Sequence, residues 1–426
     1  MLITMLSTGT RGDTQPFIAL GLELKKKGYR VRIAASKTYR DLVEGYGFEF
    51  ASLRGDVNEI LESGLVKESD SPLKFFTSLN FKNEDLQELM IGGQEDLHKA
   101  CEGSDAIVYH PGATIGYFVA QEMGIPSILA SPFPMTPTKE YPAIIFYDRM
   151  RMGKLYNKLT HTIFEKGFWK MASGGVKRYW MRAYGELPQG FSNPYPKQRT
   201  DSHPTLVSLS PTVFPVPTDW PHHVHSYGYW FIEETSDYIP PVELANFLKE
   251  GPAPLYIGFG SVGDKKNASK ATNLVLSALE KTGMRAVINA GAGMEERNNT
   301  KNVLFIKGAP HEWLFPHMAA VIHHGGAGTT AAALRSGVPQ IVIPFGNDQY
   351  AWGRRMYELG VASQAIPRKK LTIDNLVNAI QDTQNEQIIA KAKELGEIIR
   401  SEKGAEKSAN LIDQTLKSYY GNKKRG

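Results

Sequence analysis

Short apolar runs alternate with amphipathic stretches along most of the chain, and this alternation occurs twice. In the first series, Leu2 to Leu6 reads as a buried strand that runs into a glycine-containing loop. Pro16 to Lys27 follows as a helix with Phe17, Leu20 and Leu24 on one face, and Tyr29 to Ala34 as the next strand. Ala106 to Tyr109 and Ser127 to Ala130 repeat the strand pattern around a helix from Ile115 to Met123. The second series runs through Leu255–Phe259, Arg285–Asn289, Val303–Ile306, Ala320–His323 and Gln340–Pro344. Helical patterns then continue to a Lys-Lys-Arg end. Strand–helix alternation of this kind predicts an α/β protein of two doubly wound, Rossmann-like domains.

Between the two series the texture changes. Tyr141 to Tyr184 predicts a helical region in which aromatic and basic residues interleave. Prolines become frequent from Pro211, and the stretch from Ile232 to Pro254 is the expected linker. The domains are accordingly 1–235 and 236–426, with the terminal helices free to pack back on the first.

Composition narrows the class. A chain of 426 residues with 42% apolar content can build two ordinary cores. A net charge of +5 is too mild over this length to argue for nucleic acid. Cys101 is the only cysteine, which excludes an internal disulfide and fits a reducing compartment. Met1 to Leu6 is short, lacks a basic leader and passes into a polar loop, so no signal peptide is expected. No apolar run reaches the ~20 residues that span a bilayer. A cytoplasmic protein is the expectation, with membrane association left open.

The densest chemistry lies in HHGGAGTTAAALRSGVPQIVIPFGNDQ, His323 to Gln349. Glycines let the backbone approach a ligand closely. The N-terminus of the helix after them offers free N–H groups and positive potential to a phosphate. A protonatable His324 and the hydroxyls of Thr329 and Thr330 complete a diphosphate cradle, while Asp348 and Gln349 suit sugar hydroxyls. Diphosphate and sugar together describe a nucleotide-sugar.

That segment, from Gly308 onward, resembles the donor signature of family 1 glycosyltransferases, above all the branch of sterol glucosyltransferases and antibiotic aglycone glycosyltransferases. STGTRGDTQP, Ser7 to Pro16, resembles the acceptor-side opening of that branch, and DWPHHVHSYGYWF, Asp219 to Phe231, its domain-closing segment. The likeness spans nearly the whole chain. It implies the GT-B fold, two Rossmann-like domains facing across a cleft. It also implies inverting transfer of glucose from UDP-glucose to an apolar acceptor such as a sterol, triterpenoid or flavonoid. No cofactor or metal is implied.

On this resemblance Asp13 removes the acceptor proton, and the loop after the first strand is its expected place. An aspartate is a weak base for an alcohol unless partly desolvated. The competing reading makes Asp13 a cap for the following helix. His110, in YHPGAT, either assists Asp13 or lines the acceptor site with Phe133 and Phe146; a structural histidine is equally consistent. Gly12, Ser261, Gly326 and Gly328 are assigned to the donor. In GAPH, Ala309 and His311 belong to the segment that reads the uracil edge. Gly308 stands where many members place a stacking tryptophan, and Trp313 is either its substitute or core. Ala332 replaces a ribose-binding glutamate, which leaves uridine and deoxythymidine donors unresolved.

Three rival readings have residues behind them. A dTDP-sugar transferase of an antibiotic pathway would share every motif. A nicotinamide oxidoreductase would use the G-x-G-x-x-G string Gly258, Gly260, Gly263, but the second strand ends Ile288-Asn289-Ala290-Gly291, with no acid for the ribose. A catalytically silent nucleotide-sugar binding protein would not need Asp13. Neither His323–His324 nor His222, His223 and His225 has partners at zinc spacing, and no Asp-x-Asp triplet occurs. Leaving-group charge would then fall to the helix N-terminus and His324. The aromatic-basic region Tyr141 to Tyr184 has two readings. It is either a rim for peripheral membrane contact around an apolar acceptor site or ordinary amphipathic helices with lysines in water.

Overall fold

The structure, a computed structural model, describes residues 1–54, 84–198, 204–233, 238–259, 268–291, 293–346 and 348–423. The chain divides into two compact units, Met1–Glu233 with Glu402–Gly426, and Glu234–Ser401.

The first unit holds seven strands: β1 (Leu2–Leu6), β2 (Arg30–Ser36), β3 (Glu49–Leu53), β4 (Ala106–Tyr109), β5 (Ser127–Ser131), β6 (Thr205–Val207) and β7 (Val224–Ser226). All pair in parallel, in the order β3-β2-β1-β4-β5-β6-β7. Strand addition reverses between β1 and β4, which makes the carboxyl ends of those two strands the switch point of the sheet. Ile3, Met5, Ile33, Val108 and Ile128 share one core with Phe17, Leu20 and Leu24 of the helix Arg11–Lys26 and with Ile412 and Leu416 of the helix Gly404–Lys423. The terminal helix therefore belongs to the first unit. Trp230 fixes it by donating its Nε1–H to Ser408 Oγ at 3.0 Å, and Ser210 donates to Glu402 at 2.6 Å.

The second unit holds β8 (Leu255–Gly258), β9 (Ala286–Asn289), β10 (Val303–Ile306), β11 (Ala320–His323) and β12 (Gln340–Val342), parallel in the order β10-β9-β8-β11-β12. Alternate residues enter two cores. Ile257, Ile288 and Ile322 face one side; Tyr256, Val287 and Val321 face the other. Both sheet faces are covered, as an all-parallel sheet requires. The switch point lies between β8 and β11.

Three expectations need correction. The first helix begins at Arg11, not Pro16. The sequence reading gave the proline the first helical position, whereas Asp13 in the first turn allows an earlier start. The expected linker contains the helix Val242–Lys249, which buries Leu244 and Phe247. In the aromatic-basic region only Lys154–Tyr184 is one continuous helix, preceded by a short 3-10 turn at Ile144–Phe146. β3, β6 and β7 were not foreseen. β6 and β7 have three residues each and are too short for an alternation to show.

Candidate active site

In the first unit, β1 and β4 are adjacent, so the residues after them meet. Asp13 lies in the first turn of the helix Arg11–Lys26, not in a free loop. Its Oδ2 accepts from the Thr10 N–H at 2.7 Å and from the Thr10 hydroxyl at 3.0 Å. Asp13 thus does the capping work of the competing reading, with Thr10 as the N-cap residue. Gly9 makes room for this: at φ 128°, an added Cβ would stand 2.3 Å from Asp13 Oδ2. The other oxygen, Oδ1, lies 3.7 Å from His110 Nε2.

His110 is buried and holds its ring by the opposite edge. Nδ1 accepts from the Gly112 N–H at 3.1 Å and lies 3.2 Å from Thr8 Oγ1. That bond assigns the ring proton to Nε2, the atom turned towards Asp13. Nε2 is buried and makes no hydrogen bond. Burial lowers the imidazole pKa below its usual value, against the opposing charge of Asp13. A carboxylate and a neutral imidazole therefore stand just beyond hydrogen-bond distance of each other.

Phe133 stacks edge-on against Phe164 at 5.7 Å, and its ring lies 6.2 Å from Phe168, both on the long helix Lys154–Tyr184. Phe146 sits half-buried in the 3-10 turn. Gly12 lies on the exposed first turn beside Asp13.

In the second unit, β11 ends at His323 and the chain turns through His324, Gly325 and Gly326 into the helix Ala327–Ser336. His323 is structural: Nδ1 accepts from the Gly325 N–H at 3.1 Å, and Nε2 donates to Gln340 Oε1 at 2.9 Å. Burial drives its pKa to about 3. Gly325 takes φ 87°, and a Cβ there would meet Val342 at 2.7 Å and the Gln349 carbonyl at 3.0 Å. Turn and Gln349 backbone are therefore in close approach. A Cβ on Gly326 would stand 2.5 Å from His324 Nε2.

His324 is itself buried, and its pKa falls to about 4 through loss of solvent. In the free protein at neutral pH it is an uncharged donor and acceptor. Its Nδ1 and the Oγ1 of Thr330 are both buried without a hydrogen-bond partner. Two such atoms at one helix N-terminus are a costly arrangement unless something binds there. Gly328 and Thr329 lie more openly in the same first turn, whose N–H groups lack intrahelical partners.

Asp348 accepts from Trp352 Nε1 at 2.8 Å. Gln349 Oε1 accepts from the N–H groups of Phe345 and Gly346, at 2.7 and 3.1 Å. Ala309 and His311 lie half-buried beyond β10, and the His311 ring stacks on Phe315 at 4.3 Å. Trp313 packs 5.2 Å from Tyr238 and 4.9 Å from His317, against the core. Ser261, Gly260, Gly263 and Asn347 lie outside the described residues. Among the described residues, no group of three or more His, Cys, Asp or Glu is placed to share a metal ion, and no helix is long and apolar enough to cross a membrane.

Residues 3–142 match the glycosyltransferase family 28 N-terminal domain, and residues 274–413 match the C-terminal domain of erythromycin biosynthesis protein CIII-like proteins. A sterol 3-beta-glucosyltransferase of Yarrowia lipolytica is 36% identical over 98% of this chain, and one of Candida albicans 37% over 94%. The chain has the two-domain GT-B glycosyltransferase fold and is similar over nearly its whole length to sterol 3-beta-glucosyltransferases. It spans only 29% and 27% of the length of those two relatives. The kitacinnamycin glycotransferase shares the fold at TM-score 0.72 and 18% identity, covering 97% of this chain and 99% of that one. A Streptomyces sp. SF2575 glycosyltransferase complexed with thymidine diphosphate does so at 0.65 and 17%, covering 97% and 99%.

Within this GT-B chain the switch point of each sheet carries one half of the predicted chemistry. Sequence reasoning singles out Asp13, His110 and His324 but not the residues that hold them. Thr8 and Thr10 lie in the motif already singled out, and only their hydroxyls hinted at a role. Trp352 stands four residues after Asp348, one helical turn away, a spacing at which side chains meet.

Proposed function

We propose that this chain transfers glucose from UDP-glucose to a hydroxyl of an apolar acceptor, a sterol foremost, with inversion and without a metal. The observation that carries the reading is the Asp13–His110 pair. Thr10 occupies Oδ2, which leaves Oδ1 as the free lone-pair site facing a buried imidazole. In the reaction, Asp13 Oδ1 takes the acceptor proton as the acceptor oxygen attacks the anomeric carbon. The bond from that carbon to the diphosphate breaks, and its electron pair leaves on the β-phosphate oxygen. His110 holds its Nε2 proton towards Asp13. In the second unit, His324, Thr330 and the first turn of Ala327–Ser336 receive the diphosphate. Asp348 and Gln349 meet the glucose hydroxyls, and Phe133 and Phe146 the apolar acceptor.

A second reading keeps the mechanism and changes the donor to a dTDP-sugar. It is favoured by the small residue Ala332, which offers no carboxylate to a ribose hydroxyl.

The test is a transfer assay read by mass spectrometry, with EDTA present. UDP-glucose, UDP-galactose, UDP-GlcNAc and dTDP-glucose are each offered against mixed sterols, triterpenoids, flavonoids and macrolides. A hexose moved from UDP-glucose to a sterol is expected. Product from dTDP-glucose alone would establish the second reading. Absence of any product, with UDP still bound, would reduce the chain to a nucleotide-sugar binding protein.

A further inference from the structure

The long helix Lys154–Tyr184 is inverted over its first three turns. Its buried face carries Asn157, Thr160, His161 and Glu165, with Phe164 the main apolar residue. The opposite face carries Leu155, Leu159 and Ile163, four residues apart and therefore in one stripe. Their exposures are 82%, 54% and 49%. Met150 and Met152, just before the helix, are 77% and 65% exposed and extend the apolar surface. A contiguous exposed apolar patch of this kind marks an interaction site.

The charges around the stripe indicate what covers it. Lys154 and Lys158 flank it, and Lys166 and Lys170 continue it along the helix; all four are exposed. From 154 to 170 the helix has one acidic residue, Glu165, and it is buried. Interfaces between proteins are depleted in lysine at their apolar centres. Helices that lie in a lipid interface combine an apolar stripe with flanking lysines, whose stems reach along the apolar layer to the headgroups.

We infer that the outer face of this helix docks the chain on an anionic lipid bilayer, with Leu155, Leu159 and Ile163 entering the headgroup boundary. The inference goes beyond the transfer reaction and does not depend on it. The buried face of the same helix carries Phe164, which packs on Phe133. Docking would therefore set the candidate acceptor aromatics one helix diameter from the lipid.

The experiment is vesicle co-sedimentation of the full chain, with no donor or acceptor present. Vesicles of phosphatidylcholine are compared with vesicles containing roughly 30% phosphatidylglycerol, an anionic surface. The wild type should bind the anionic vesicles and release at high salt. Leu155→Glu/Leu159→Glu should weaken binding at least about tenfold by placing charge in the apolar layer. Lys158→Gln/Lys166→Gln/Lys170→Gln should weaken it on the order of 100-fold, at about fivefold per lysine. All five positions are exposed, so folding is preserved. Binding by neither vesicle, or equal binding by wild type and both variants, overturns the inference. So does self-association that the leucine variant abolishes, since it would assign the stripe to a second copy. Failure here leaves the transfer assay untouched, and failure of transfer leaves vesicle binding untouched.

Discussion

The two switch points are built from similar parts, and each keeps a buried imidazole nitrogen without a partner, but they differ in how their other polar groups are held. At β1 and β4 one edge of each side chain is held from within, Asp13 by Thr10 and His110 by Thr8 and Gly112, while the facing atoms, Asp13 Oδ1 and His110 Nε2, make no hydrogen bond to each other at 3.7 Å. At β11 the turn closes on itself through His323, yet His324 Nδ1 and Thr330 Oγ1 stay buried without partners. The difference teaches how the two tasks divide. A base needs an orientation fixed before substrate arrives. A diphosphate cradle needs donors and acceptors held in reserve, because the ligand itself satisfies them.

The first way to break this comparison is Asp13→Asn. Asparagine can still accept from Thr10, so the helix start survives, but the proposed proton acceptor is gone. Turnover should fall by about 10²–10⁴-fold, with UDP affinity changed by less than about twofold. Steady-state kinetics and calorimetric UDP titration check both halves.

Gly326→Ala attacks the other side. The new methyl would stand 2.5 Å from His324 Nε2 and displace the imidazole. Donor KM should rise at least about tenfold, on the order of one lost hydrogen bond to a charged group. An unchanged donor KM would move the diphosphate away from this turn.

Protonation sharpens the comparison further. His323 and His324 titrate in the folded chain at about 3 and about 4, against roughly 6.5 when unfolded. The unfolded chain therefore takes up protons first as pH falls. Stability is full above pH ~6.5 and is lost as pH falls towards the folded values, by about 1 kcal/mol per histidine per pH unit. Urea unfolding between pH 7 and pH 5, roughly the range below the unfolded value, should show a falling midpoint. His324→Gln should reduce that slope, and an identical slope would mean that the buried imidazole does not stay neutral.

The smallest effect belongs to Trp352→Phe. It removes the indole hydrogen bond to Asp348 and keeps the buried ring. Donor KM should rise about three- to tenfold, the size of one ordinary hydrogen bond, with kcat nearly unchanged.

Much of the fold was legible in advance because parallel strands buried on both faces leave unbroken apolar runs. Leu2–Leu6, Ala106–Tyr109, Val303–Ile306 and Ala320–His323 are such runs, and their limits agree with the structure. β6 and β7 were not legible: three residues carry no period, and tertiary pairing alone makes them strands. The start of the first helix was misjudged because Pro16 is a strong local signal, while the Thr10–Asp13 cap depends on side-chain geometry. The candidate residues could be named from motif and spacing. The states of His110 and His324 could not, because burial sets them and burial is a property of the folded chain.

The most direct measurement pairs Asp13→Asn with Gly326→Ala, each taken through single-turnover transfer at saturating donor and through UDP calorimetry. The division of labour predicts a crossed result. Asp13→Asn loses the chemical step and keeps UDP binding; Gly326→Ala loses UDP binding and recovers most of its single-turnover rate once the donor is saturating. Two variants that lose binding and rate together, or an Asp13→Asn that retains its rate, would contradict it.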